Sequence, residues 1–272
     1  MAGKPVYINS DNDIYQIFTS IRDNRNKRRK YGNIFVEGVI PVNMCLKSGA
    51  KIDSIIINRD KLLSDWAQNI VDTAVYSNLY SLKASLLEKL SGKEIPSELI
   101  LIAEYPDTSA ACVDITGLKK IVLLDRPISP GNLGTMIRSC DAFAIDLILI
   151  SGHGADPYDP AVISASRGTV FNLPPIQIAS NQELLQIFKR LKKENPGFTI
   201  YGTSAGGSEE IDNVAFVREY CLLIGNETYG LNENLRNLAD AMIRIPMQGA
   251  ASSLNIACAL TLFLYAIDRY SR

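Results

Sequence analysis

The chain has 272 residues and a formal net charge of -1, so it is not a globally basic nucleic-acid binder, although a local basic patch stays open. Its 47% hydrophobic and 21% charged residues are those of a globular protein, with length for one large domain or two ordinary ones. One histidine, His153, and five singly scattered cysteines (Cys45, Cys112, Cys140, Cys221, Cys258) argue against zinc chemistry, a disulfide framework and a Ser-His-Asp triad.

In chain order, the first thirteen residues are polar and show no signal-peptide pattern. The longest apolar run, 254–267, is shorter than the ~20 residues a membrane span needs. The expectation is a soluble, cytoplasmic protein. From Arg22 to Lys30 the chain reads RDNRNKRRK, six basic residues (Arg22, Arg25, Lys27, Arg28, Arg29, Lys30) against one Asp. This is either a solvated loop or helix end, or a phosphate-contacting patch, with Tyr31 available for stacking. Strands are predicted at NIFVEG (33–38), DSIIIN (53–58), TAVYS (73–77) and ELILIAEY (98–105), with helices over KLLSDWAQNIVD and SLKASLLEKLS. A linker is placed near 106–118, where Pro, Asp, Gly and Ser accumulate. A second series follows, with strands at 119–125, 146–151, 198–204, 220–225 and 241–246. Asp159-Pro160 reads as a helix start, Ser180 with Glu183 as a capping box, Asn195-Pro196-Gly197 as a stop, and Ser252 or Ser253 as the cap of the last helix. Alternating strands and helices imply an α/β architecture with a largely parallel sheet.

Three strand-end loops carry the chemistry. In DRPISPGNLGTMIRSCDAF neither a Walker loop nor GxGxxG is present; the loop offers Asn132, and Arg138 lies in the helix beyond it. Arg138 either grips a phosphate or extends to the surface. In LLIGNETYGLNENL, Gly225 and Gly230 bracket Glu227, either in a ligand loop or in a plain turn. In IRIPMQGAASSLNIACAL a small-residue loop opens an apolar helix, with Asn255 placed in its first turn.

Together and in this order, these loops resemble the SpoU (TrmH-like) family of RNA ribose 2′-O-methyltransferases in the SPOUT superfamily. The motif residues are Asn132, Gly134 and Arg138; Gly225, Asn226, Glu227 and Gly230; and Ile245, Pro246, Met247, Ser253, Leu254 and Asn255, over roughly 119–270. The chain departs from the family pattern at Ser129-Pro130-Gly131, Ser252 and Ile256-Ala257. The first part, with Glu37-Gly38 after the basic segment, resembles the L30e-like domain that often precedes the catalytic one.

The resemblance implies a substrate-binding domain over 1–110 and a catalytic domain over 118–272 with a deep trefoil knot. It implies S-adenosylmethionine as cofactor, held around Thr203, Ser204, Ala205, Gly225, Asn226, Ile245, Met247, Ser253 and Leu254. It also implies a homodimer through the C-terminal domain, no metal, and a catalytic set of Arg138, Asn132, Glu227, Ser253 and Asn255. RNA, above all 23S rRNA, is the implied partner, approached by the 22–30 basic residues. Resistance enzymes of the thiostrepton or avilamycin type and tRNA methyltransferases are the neighbouring alternatives. A non-catalytic RNA-binding protein and a small-molecule or NTP-binding α/β enzyme are the alternatives of other classes. His153 is given no role.

Overall fold

The computed structural model describes residues 4–109 and 114–271; Cys112 and part of the 106–118 linker lie outside them. By its contacts the chain divides into two units, Met1–Pro106 with Tyr158–Phe171, and Asp107–Pro157 with Asn172–Arg272.

The first unit is built from β1 (Val6–Ile8), α1 (Asp13–Asp23), α2 (Arg25–Tyr31), β2 (Asn33–Glu37), α3 (Val39–Lys47), β3 (Ile52–Asn58), α4 (Asp65–Thr73), β4 (Tyr76–Leu82), α5 (Ala84–Ser91) and β5 (Leu99–Glu104). Its sheet has the order β1-β4-β3-β5-β2. β4 runs parallel to β1 and β3, whereas β5 runs antiparallel to β3 and β2, so this sheet is mixed and not largely parallel. Strand-helix alternation does not decide direction, because a strand leaving a helix can enter the sheet from either end. The strand expected at 73–77 begins at Tyr76: Thr73 ends α4, and Val75 is 90% exposed. Pairing with β3 sets the register through Asn78 and Ser81, polar residues that conceal the strand in the sequence.

The second unit starts with β6 (Lys120–Asp125), α6 (Pro130–Ala142) and β7 (Leu147–Ser151). The chain then gives α7 (Pro160–Ala165) to the first unit, where it packs on β2. It returns through β8 (Ile176–Ile178), α8 (Asn181–Glu194), β9 (Thr199–Thr203), β10 (Glu209–Glu210), β11 (Tyr220–Ile224), α9 (Glu233–Leu238), β12 (Ala241–Arg244) and α10 (Ile256–Tyr270). The seven strands, in the order β10-β12-β9-β11-β6-β7-β8, are parallel throughout. Central strands such as LILIS and YCLLI are buried along their whole length, as expected for a sheet covered on both faces.

Helix caps place the functional loops. Ser129, Asn232 and Asn255 cap α6, α9 and α10 through their side chains. The cap of α10 is thus Asn255 and not Ser252 or Ser253, and α10 begins one residue after it. At α8 the Ser180 hydroxyl accepts from the Glu183 amide, while the Glu183 carboxylate reaches back to the Ala179 amide.

Candidate active site

At the C-terminal ends of β6, β9, β11 and β12 the loops enclose a cavity of about 500 Å³. In open parallel sheets ligands bind at such strand ends, where neighbouring connections diverge. Here the chain runs outward from β6 to β8, and β11 later takes the place on the other side of β6.

The loop after β11 is locked by its backbone. Asn226 and Gly230 exchange two N–H···O bonds of 3.0 Å, and the Asn226 carboxamide accepts from the Thr228 and Tyr229 amides at 2.9 and 3.1 Å. Gly230 takes φ +67, and a Cβ on Gly225 would lie 2.4 Å from the Gly230 carbonyl carbon. Gly225 is therefore a steric necessity, and the positive φ at 230 favours glycine. The Asn226 amide group donates to the Arg126 carbonyl at 2.8 Å, joining this loop to the one after β6.

Glu227 makes the second junction. Its carboxylate accepts from the Ile128 and Ser129 amides, both at 3.2 Å, and from Asn132 Nδ2 at 3.5 Å. Asn132 Oδ1 accepts from Asn255 Nδ2 at 3.0 Å, and Asn255 Oδ1 accepts from the Ala257 amide at 2.9 Å. A continuous polar relay thus links three loops from Glu227 to the N-terminus of α10.

Beneath the relay lies Asp125, which the sequence reading passed over. It is 1% exposed. Its carboxylate accepts from Arg126 (3.0 and 2.8 Å), Ser151 Oγ (3.0 Å), the Asn232 amide (3.0 Å) and Asn232 Nδ2 (3.2 Å). Burial by itself would raise its pKa; the Arg126 guanidinium, the Asn232 amide and the Ser151 hydroxyl outweigh that and hold it below the usual carboxylate value. Arg126 adopts φ 49, an uncommon left-handed state for a non-glycine residue. Gly152 makes room for its side chain, since a Cβ there would lie 2.6 Å from Arg126 Cγ. The available signal was a carboxylate ending an otherwise apolar strand, IVLLD.

All nine residues expected around a cofactor line this cavity, as do Asn132, Glu227, Ser253 and Asn255. Arg138 does not; it is exposed on α6 and makes no hydrogen bond or ion pair with a described residue. Among the lining residues Glu227 is the only charged side chain, and none is Lys or Arg. Such walls suit a cationic ligand and not a nucleotide polyphosphate.

The basic segment is placed differently from expectation. Arg28 is 1% exposed, donates to the Ile21 and Arg22 carbonyls at 3.1 and 2.8 Å, and pairs with Asp159 at 2.9 Å. Arg22 donates to Asp23 and to the Lys89 and Leu90 carbonyls at the end of α5. Carbonyls at helix ends lack partners within the helix, and these guanidiniums supply them. Arg28 is therefore not an RNA contact and Arg22 is largely committed. Arg25 and Lys27 are half-buried, and Arg29 and Lys30 are exposed beside Tyr31. Burial pushes the Cys45 thiol up to about 12 and raises those of Cys140 and Cys221 as well, so none is a ready nucleophile. No helix among the described residues is long and apolar enough to cross a membrane. Nor is any group of three or more His, Cys, Asp or Glu among them placed to hold a metal ion.

The model of the SpoU rRNA Methylase family matches residues 119–265, which contain every loop of the cavity. The chain belongs to this family. A second model, the SpoU L30e-like domain, matches residues 12–101. The chain is 34% identical to the 23S rRNA (uridine(2479)-2′-O)-methyltransferase of Streptomyces viridochromogenes, over 96% of this chain and 91% of that protein. It is 26% identical to the 23S rRNA (guanosine(2553)-2′-O)-methyltransferase RlmP of Bacillus subtilis, over 89% and 90%. Among solved structures, the SpoU methyltransferase AviRb of S. viridochromogenes in complex with the cofactor AdoMet superposes with a TM-score of 0.88 at 33% identity, over 96% of this chain and 100% of that one. An AdoMet-bound rRNA methyltransferase of Sinorhizobium meliloti gives 0.84 at 25% identity, over 98% of each chain. Within this SpoU chain four motif residues, Asn132, Asn226, Glu227 and Asn255, make the bonds that join the three loops.

Proposed function

We propose that the protein transfers a methyl group from S-adenosylmethionine to a ribose 2′-oxygen of RNA, with 23S rRNA as the substrate. The observation that carries the reading is the cavity itself, with one carboxylate, no cationic side chain and a wall of backbone and small side chains. Family membership and the two 23S rRNA methyltransferases among its relatives support the choice of RNA.

The residues fit the cofactor. Ile224, Ile245, Leu254 and Phe263 offer apolar surface for an adenine, and Thr203, Ser204 and Asn226 offer polar groups. Leu254 and Met247 stay 38% and 37% exposed, apolar surface that a bound ligand would cover. When bound, S-adenosylmethionine supplies a methyl group already activated on a sulfonium. The protein's task is alignment, which can contribute up to ~7–11 kcal/mol. Glu227 and Asn255 hold Asn132 at the cavity, and Ser253 and Asn255 position the ribose. Arg138 acts at the 2′-oxygen and its adjacent phosphate; a guanidinium keeps its proton, so its role is to clamp phosphate and stabilise charge, while the 2′-hydroxyl proton leaves toward that phosphate and solvent as the oxygen–methyl bond forms and the sulfur–methyl bond breaks.

Arg138 reaches the chemistry from a second subunit in this reading. Its place outside the cavity supports that. So does the neighbouring α10, tied to α6 by the Ser139–Thr261 bond of 2.8 Å, which leaves Leu262 45% and Tyr265 56% exposed on one face. A homodimer through this face makes two complete sites. Residues 1–110 act as the L30e-like RNA-binding domain, with Arg29 and Lys30 as surface cations, and 118–272 form the knotted catalytic domain of a cytoplasmic enzyme.

The test is transfer of labelled methyl from S-adenosylmethionine to 23S rRNA, 16S rRNA and bulk tRNA separately. Label on 23S rRNA that disappears in Arg138→Ala is expected. Label on tRNA alone would reassign the substrate, and no cofactor binding would overturn the reading.

A further inference from the structure

The loop after β11 contains one residue that the methyl-transfer scheme leaves unused. Tyr229 belongs to the cavity lining yet is 77% exposed, and its hydroxyl makes no hydrogen bond with a described residue. A single exposed aromatic is ordinary on a protein surface. Tyr229 differs in its support. Its amide is held by Asn226 at 3.1 Å, the Asn226–Gly230 bridge closes the turn on both sides of it, and Arg126 Nη2 reaches the Gly230 carbonyl at 3.4 Å. The backbone beneath the ring is therefore fixed by the same bonds that fix the catalytic loops, while most of the ring meets no protein.

We propose that Tyr229 is a stacking platform for an unpaired base of the RNA substrate at the rim of the cofactor cavity. The proposal rests on the RNA methyltransferase reading. A base is the occupant that fits. Proteins read unpaired RNA by stacking bases on aromatic faces, and this ring is continuous with the cavity to which a ribose must come. A nucleotide of a loop or single strand that brings its ribose to the cavity has an unstacked base in need of a partner. A preset ring supplies that partner without ordering a loop, so little conformational entropy is lost on binding. On the loop after β6, Ile128 is 56% exposed, and its amide is bonded to Glu227, two residues before Tyr229. The cofactor adenine is the competing occupant, but a ring so little covered forms the rim of the cavity and not its wall.

The experiment compares wild type, Tyr229→Ala and Tyr229→Phe in methyl transfer to transcribed 23S rRNA, with S-adenosylmethionine affinity measured by calorimetry. Tyr229→Ala should raise the KM for RNA about 5- to 100-fold, the range expected for one base–aromatic stack, and leave cofactor affinity within about twofold. Tyr229→Phe should behave as wild type, because stacking needs the ring and not the hydroxyl. An unchanged KM for RNA in Tyr229→Ala, or cofactor affinity lost in parallel, would overturn the proposal. A second arm works without turnover: Tyr229→Trp in a Trp66→Phe background carries one indole, whose fluorescence should be quenched by 23S rRNA. If wild type transfers no methyl, the functional reading fails; quenching would then still support the platform, and its absence would overturn it too.

Discussion

Arg28 in α2 and Glu227 beside the cavity do the same electrostatic work at opposite helix ends. Arg28 donates to carbonyls at the end of α1, and Glu227 accepts amides at the start of α6. They differ in what remains free. Arg28 is 1% exposed with its charge paired to Asp159, whereas Glu227 is exposed on a cavity wall. A charge enclosed by its partners contributes architecture; one that organises backbone while facing a cavity is available to a ligand.

Removing an enclosed carboxylate tests that contrast hardest. Asp125→Ala leaves the Ser151 hydroxyl and two Asn232 donors without their acceptor, while the Arg126 guanidinium, 34% exposed, is partly rescued by water; the cost should be about 3–4 kcal/mol in denaturant unfolding. Because the folded pKa of Asp125 lies below its unfolded value of ~3.9, its contribution is complete above that pH and disappears as pH falls through the folded value. Asp125→Asn should therefore flatten the acid limb of a stability–pH profile, and an unchanged limb would contradict the assignment.

Arg28→Ala comes next, at about 3 kcal/mol, since Asp159 keeps 30% exposure and is partly rescued by water. The folded variant should bind RNA as wild type does. The pair Arg29→Ala and Lys30→Ala should do the reverse, leaving the melting temperature in place and reducing the salt slope of RNA binding by about 2. Equal effects of the two substitutions would dissolve the distinction between buried and free cations.

Glu227→Gln keeps the shape but weakens the hold on the Ile128 and Ser129 amides. Turnover should fall about 100-fold through misplacement of Asn132, with unfolding shifted by less than about 1 kcal/mol. Asn255 separates capping from the relay. Asn255→Ser retains a helix cap, so stability should stay within about 0.5 kcal/mol of wild type while the bond to Asn132 and much of the activity are lost; Asn255→Ala should cost about 1 kcal/mol as well. Full activity in Asn255→Ser would show that the relay is only a cap.

Most of this site was legible because its motifs are short and local. Gly225, Asn226, Glu227 and Gly230 form one turn whose bonds close within five residues, and the apolar runs IVLLD, LILIS and YCLLI announce buried parallel strands. Asp125 was missed because its partners Ser151 and Asn232 are distant in sequence and a lone strand-end carboxylate looks ordinary. Arg28 was misread because charge is written in the sequence and burial is not.

The sequence by itself determined the α/β class, the positions of most strands along the chain, the caps at Asp159 and Ser180, and the three loops with their glycines, all properties of propensity and spacing over a few residues. Only the tertiary structure decided that the first sheet is mixed, that Tyr158–Phe171 joins the first unit, that Arg28 is enclosed while Arg29 and Lys30 are free, and that Glu227, Asn132 and Asn255 form one relay. Those outcomes depend on groups far apart in the chain, whose meeting is set by the packing of whole strands and helices.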